Sequence, residues 1–122
     1  MDFIHIADLH ASKARVEPSL CVLDKLYNFI SLKEEKPVLL ISGDFWDSVM
    51  QNTEASGFTK LTSAVKKIID ITTVIFISGT PNHEPEGSLR IFEELGAKVF
   101  YDPAIWEFED FEIVAIPEPR RT

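Results

Sequence analysis

Three short, predominantly apolar runs constrain the fold of this chain most: "FIHIA" (3–7), "PVLLIS" (37–42) and "TVIFIS" (73–78). Each is short, rich in β-forming residues and bounded by polar or turn residues, so each reads as a buried strand. Between them the apolar spacing is helical. Pro18 suits a first helical turn, and Leu20, Leu23, Leu26, Tyr27 and Ile30 follow at helical intervals, which predicts an amphipathic helix over 18–35. Phe58, Leu61, Val65, Ile68 and Ile69 predict a second helix running to about Asp70. Leu89, Ile91, Phe92 and Leu95 predict a third, closed by Gly96. Strands alternating with helices imply right-handed crossovers and a parallel sheet, an α/β fold.

Beyond Gly96 the pattern changes. "KVFY", "IWEFED" and "FEIVAIP" read as short strands, with a turn at Glu109-Asp110. Trp106 and Phe108 share one parity and Glu107 and Glu109 the other, as in an antiparallel pair wet on one side. The 122 residues suit one compact domain, and 45% apolar content supplies a core. A net charge of -8 and a pI near 4.8 argue against nucleic-acid binding by basic charge alone. They leave a nuclease open, because divalent cations would offset clustered carboxylates. The one cysteine, Cys21, excludes an intrachain disulfide and fits a reducing compartment; beside Leu20 and Leu23 it reads as a buried or half-buried thiol. No run reaches the ~20 apolar residues of a membrane span, and "MDFIHIADLH" lacks the basic flank of a signal peptide. A cytoplasmic protein is the expectation.

Ligands of open α/β sheets bind beyond the C-terminal ends of the strands. The first strand delivers Asp8 and His10 there, the second Asp44 and Asp47 in "SGDFWD", the third Asn82 and His83. Asp8 and His10 alternate in extended chain, so both could reach one ion. Gly43 permits a tight turn that presents Asp44 at once. Singly these groups also suit turn capping. Together they offer mixed oxygen and imidazole ligands, which suit Mn, Fe or Zn better than Ca or Mg alone. His5, between Ile4 and Ile6 inside the first strand, reads as a packed imidazole and not a ligand.

The ordered set Asp-x-His, Gly-Asp-x-x-Asp and Asn-His, each at a strand end, resembles the calcineurin-like metallophosphoesterases. "IHIADLHASK" and "LLISGDFWDS" are most similar to the SbcD-type DNA repair nucleases, with the likeness covering roughly residues 2–84. The resemblance implies an α/β metallophosphoesterase sandwich and two divalent ions, Mn²⁺ first, with Mg²⁺, Fe²⁺ or Zn²⁺ also admitted. It implies Asp8 and His10 on the first ion, Asp44 bridging, and Asn82 on the second. His83 would face the scissile phosphate as the acid for the leaving oxygen, with Asp47 orienting it. It also implies DNA as substrate, a coiled-coil ABC-type ATPase of the SbcC type as partner, and a homodimer as one assembly.

Two features depart from that pattern. The family's Gly-Asn-His-Asp is "GTPNHE" here, with Thr80 and Pro81 inserted and Glu84 in place of Asp. The family's later ligands, a lone His and a Gly-His-x-His motif, have no counterpart, since the histidines are His5, His10 and His83. The expectation is the N-terminal part of a larger nuclease domain, or a truncated copy, with weak metal binding and little activity by itself. A calcineurin-like phosphatase or cyclic-nucleotide phosphodiesterase, and a catalytically silent dimerisation or docking domain, are the alternative readings.

Overall fold

A computed structural model describes residues 2–47, 55–81, 83–84, 87–109 and 111–118. The chain runs β1 (Phe3–Ile6), a 3₁₀ turn (Lys13–Arg15), α1 (Val16–Ser31), β2 (Val38–Ser42), α2 (Ala55–Ile69), β3 (Val74–Ile77), α3 (Arg90–Glu94), β4 (Lys98–Phe100), β5 (Ala104–Phe108) and β6 (Phe111–Ala115). β1 to β4 form one parallel sheet in sequence order, and β5 and β6 a separate antiparallel pair. This is the α/β architecture that the alternation of runs predicts.

Strands added in one direction with crossovers of one hand leave every helix on one face. Ile4, Ile6, Leu39, Ile41, Val74, Phe76 and Val99 point to that face. They pack with Leu23 and Ile30 of α1, Leu61, Val65 and Ile68 of α2, and Phe92 of α3. The alternate residues Val38, Leu40, Ile75, Ile77 and Phe100 point the other way, onto Ala104, Trp106, Phe108, Ile113 and Ala115 of the hairpin. The central strands are therefore solidly apolar because both faces are covered, while β5 and β6 alternate because only one is. Ile105 and Val114, paired across the hairpin, lie on its open side and are 68% and 60% exposed.

α1 begins before Pro18 and ends at Ser31, not at 35. Pro18 sits in the first turn, where a missing N–H costs nothing. At the far end the Lys36 ammonium donates to the carbonyls of Ser31 and Lys33, holding the chain off the helix axis ahead of Pro37. α3 closes as expected at Gly96: φ is +116°, Gly96 N–H donates to Glu93 O and Ala97 N–H to Phe92 O, a complete Schellman motif. Of the expected turn at Glu109-Asp110, Asp110 lies outside the described residues.

Two expectations fail locally. Cys21 is exposed, because it falls off the helix stripe set by Leu23 and Ile30. His5 is exposed, not packed: it lies on the hairpin side of an edge strand, where its Nε2 meets Ser42 Oγ. Among the described residues, no helix is long and apolar enough to cross a membrane.

Candidate metal centre

The loops leaving β1 and β2 extend the sheet's pairing past the strands. Asp8 N–H donates to Gly43 O at 3.0 Å, His10 N–H to Asp44 O at 3.0 Å and Ala11 N–H to Phe45 O at 2.7 Å. Asp47 N–H returns to Ala11 O at 2.9 Å, around an Ala11–Trp46 bridge. Asp8, His10 and Asp44 take positive φ of 56°, 52° and 50°. Asp and His are among the residue types that tolerate this region best. In "GDFWD" the middle pair points inward. Phe45 and Trp46 are each 1% exposed, and Trp46 stacks on both Phe58 and Phe92 at 5.8 Å between ring centres. That burial anchors the segment and leaves Asp44 part-buried and Asp47 exposed.

The loop leaving β3 is held differently. Thr80 O accepts the N–H groups of His83 (3.0 Å) and Glu84 (2.8 Å), a single turn that absorbs the inserted Thr80-Pro81. Glu84, fully buried, accepts N–H bonds from Gly79 at 2.7 Å, Asp44 at 3.0 Å and Trp46 at 3.1 Å. One carboxylate thus staples the β3 loop to the β2 loop. Burial pushes its carboxyl above the ordinary range, against the pull of the Gly79 and Trp46 N–H groups, and the Asp44 charge pushes it further up. The staple needs Gly79 bare: a Cβ there would stand 2.2 Å from Asp44 Oδ1 and 2.3 Å from Asp44 N. Sequence reasoning registered Glu84 as a replacement for Asp but not this role. The available signal was an acidic residue five positions beyond a strand-end Gly.

Three side chains, one from each loop, converge. Ligand atoms of His10, Asp44 and His83 lie within 4.8 Å of one another. The imidazoles meet edge to face, 5.2 Å between centres and 82° between planes. Asp47 holds both: His10 Nδ1 lies 3.2 Å from Asp47 Oδ1, and His83 Nδ1 meets the Asp47 carbonyl oxygen. With Nδ1–H donating in each ring, Nε2 carries each lone pair. Asp44 Oδ1 accepts from Thr80 N–H at 2.9 Å and Thr80 Oγ1–H at 3.0 Å, which sets the carboxylate's orientation. Asp8 lies at the rim, 69% exposed, its Oδ1 3.9 Å from His10 Nε2. Asn82 lies outside the described residues. His83's pKa is raised from 6.5: the Asp47 carbonyl raises it most, desolvation opposes as the next largest effect, and the charges of Asp44, Asp47 and Glu84 each add a smaller upward push.

The donor set fits a divalent ion. Metal–ligand bonds of about 2.1 Å hold ligand atoms roughly 3.4 to 4.2 Å apart, and the three donors here already lie within 4.8 Å of one another. Two imidazoles with one carboxylate suit zinc and the later transition metals, and manganese as well.

An α/β layered domain with metal-type side chains at the C-terminal edge of a parallel sheet is the class that fold and cluster define. No protein-family model matches the sequence, and no curated protein matches it. Among solved structures, the fold is similar to that of the Pseudomonas putida nuclease MPE, with a TM-score of 0.56 over 88% of this chain and 23% identity. The chain spans 50% of the length of that protein.

Proposed function

We propose that this chain carries part of the active site of a divalent-metal-dependent phosphodiesterase that cuts DNA. The observation that carries the reading is the convergence of His10, Asp44 and His83 at the strand ends of a fold similar to a nuclease. The narrower reading, a DNA repair nuclease of the SbcD type working with an ABC-type ATPase, is supported by the "IHIADLHASK" and "LLISGDFWDS" segments. By that resemblance Asp8, His10, Asp44 and Asn82 are the ion ligands, and His83 and Asp47 complete the catalytic set.

A divalent ion there supplies Lewis acidity toward a phosphoryl oxygen and lowers the pKa of a water. The chain's own residues do the positioning. Asp44, oriented by Thr80, supplies negative charge at the centre of the cluster. Asp47 fixes the tautomer of both imidazoles. The half-exposed edges of His10 and His83 leave room for a phosphodiester to approach.

Turnover of labelled DNA, a chromogenic phosphodiester and a phosphomonoester with Mn²⁺ tests the reading. Weak cleavage of DNA and diester, lost in Asp44→Asn, is expected. Turnover of the monoester alone would replace the reading with a phosphatase. Absence of both cleavage and Mn²⁺ binding would favour a silent docking domain.

A further inference from the structure

We infer that Lys13 and Arg15, on the 3₁₀ turn between the β1 loop and α1, bind backbone phosphates of a DNA strand that flank the phosphate held at the site. This rests on the reading above that the site cuts a phosphodiester. It adds the feature that selects a polymer over a small diester.

The position of the cations is the first observation. The loops leaving β1, β2 and β3, residues 7–15, 43–54 and 78–89, contain no lysine or arginine besides these two. Both are exposed. Elsewhere cations have work within the chain: Lys33, Lys67 and Lys98 lie over aromatic rings, and Lys66 and Arg90 pair with Asp70 and Glu94. A polyanion reaching the strand ends of this acidic protein therefore meets Lys13 and Arg15 as the fixed positive charges of the three loops.

Arg15 also stands where helix formation disfavours it. It is the N-cap of α1, a position that favours Ser, Thr, Asp or Asn, and its side chain makes no cap hydrogen bond. Its charge adds to the positive end of a 16-residue helix. Among the described residues it has no ion pair. Residues that break local rules without a structural return are expected at functional positions. A bound phosphate offsets the repulsion, and the planar guanidinium fork matches its oxygens.

Reach is the third observation. Ala11, fully buried and bridged to Trp46, fixes the chain directly after His10. Lys13 follows His10 by three residues, so their Cα atoms lie within roughly 11 Å. Arg15 N–H donates to Ser12 O at 3.0 Å, which folds the turn back. That keeps the Arg15 Cα within roughly 14 Å of the His10 Cα. Phosphates of one strand advance about 3.4 Å each along a duplex axis, so the two cations serve phosphates up to about four nucleotides from the one at the site. A chromogenic diester or a cyclic nucleotide has a single phosphate and gains nothing from them.

Binding of labelled duplex DNA as a function of salt, with Mn²⁺-dependent cleavage of DNA and of a chromogenic diester, tests this in the purified chain. Lys13→Gln and Arg15→Gln should each raise the KM for DNA on the order of 10-fold and leave kcat unchanged. Each should also flatten the plot of log affinity against log salt by about 0.9, and the double variant by about twice that. Turnover of the diester should stay within about twofold of wild type. Lys25→Gln, which removes an exposed cation further along α1, should alter none of these. The urea midpoint of Arg15→Gln should be equal or higher, since a charge opposed to the helix dipole is gone; a structural role would lower it. Unchanged KM and salt slope in the double variant, equal losses on DNA and diester, or an equal loss in Lys25→Gln would overturn the inference and leave the phosphodiesterase reading standing. Diester turnover without DNA binding would do the same. A wild-type chain that turns over neither substrate and binds no Mn²⁺ would remove both.

Discussion

The site's three loops are held in two different ways. Those after β1 and β2 are joined main chain to main chain, by a run of N–H···O bonds from Asp8 to Asp47. The loop after β3 reaches its neighbour through side chains, with Glu84 accepting from Asp44 and Trp46 and with Thr80 donating to Asp44. A backbone ladder tolerates most side-chain changes because the peptide groups remain. A side-chain staple concentrates the same task in one carboxylate and one glycine. The two halves of the site should therefore answer mutation very differently.

The largest effect is expected from Glu84→Ala, which strips two buried N–H groups and one part-buried N–H group of their acceptor. At about 1–3 kcal/mol for each unsatisfied donor, the loss is at least about 3 kcal/mol, read from urea denaturation. Glu84→Gln should cost less, because one oxygen survives as an acceptor while the new amide opposes an N–H. It also carries a pH signature. Burial holds the Glu84 carboxyl above its ordinary 4.5, so the folded chain keeps a proton that the unfolded chain has released. That contribution is complete below 4.5 and disappears as pH rises through the folded value. Urea midpoints taken from about pH 4 to 7 should fall across that window in the native protein, and less in Glu84→Gln. Equal slopes would show that Glu84 is not the group responsible.

Gly79→Ala comes next. Its methyl would stand 2.2 Å from Asp44 Oδ1, so the β3 loop must move off Asp44, at about 1–3 kcal/mol. Zn²⁺ affinity should fall with it, since Asp44 loses its orientation. The smallest effect belongs to the ladder. Asp8→Asn keeps a residue type that tolerates positive φ and alters a mostly exposed side chain, so stability should change by no more than about 0.5 kcal/mol. A loss comparable to that of Glu84→Ala would erase the contrast between the two halves.

Much of this was legible in the residues. The solid runs 37–42 and 73–78 became β2 and β3 because strands buried on both faces have no polar parity. The alternation of Trp106 and Phe108 with Glu107 and Glu109 correctly described a hairpin covered on one side only. Asp44 could be placed at a strand end from Gly43 alone. The exposure of His5 was less legible, because it depends on how far the hairpin spreads toward β1. The same holds for Cys21, whose neighbours in sequence are core residues although its own direction is not.

Local order alone therefore determined the strands, the helices and the three corners that carry Asp8, His10, Asp44, Asp47 and His83, since period and turn chemistry act between near neighbours. Only the tertiary structure decided that Asp47 serves two imidazoles at once, that His83 joins His10 and Asp44, and that Glu84 is a buried staple and not a surface acid. These contacts join residues 36 or more positions apart in sequence. A carboxylate's partner at that distance depends on which strands lie side by side, and residue spacing within one loop carries no record of that.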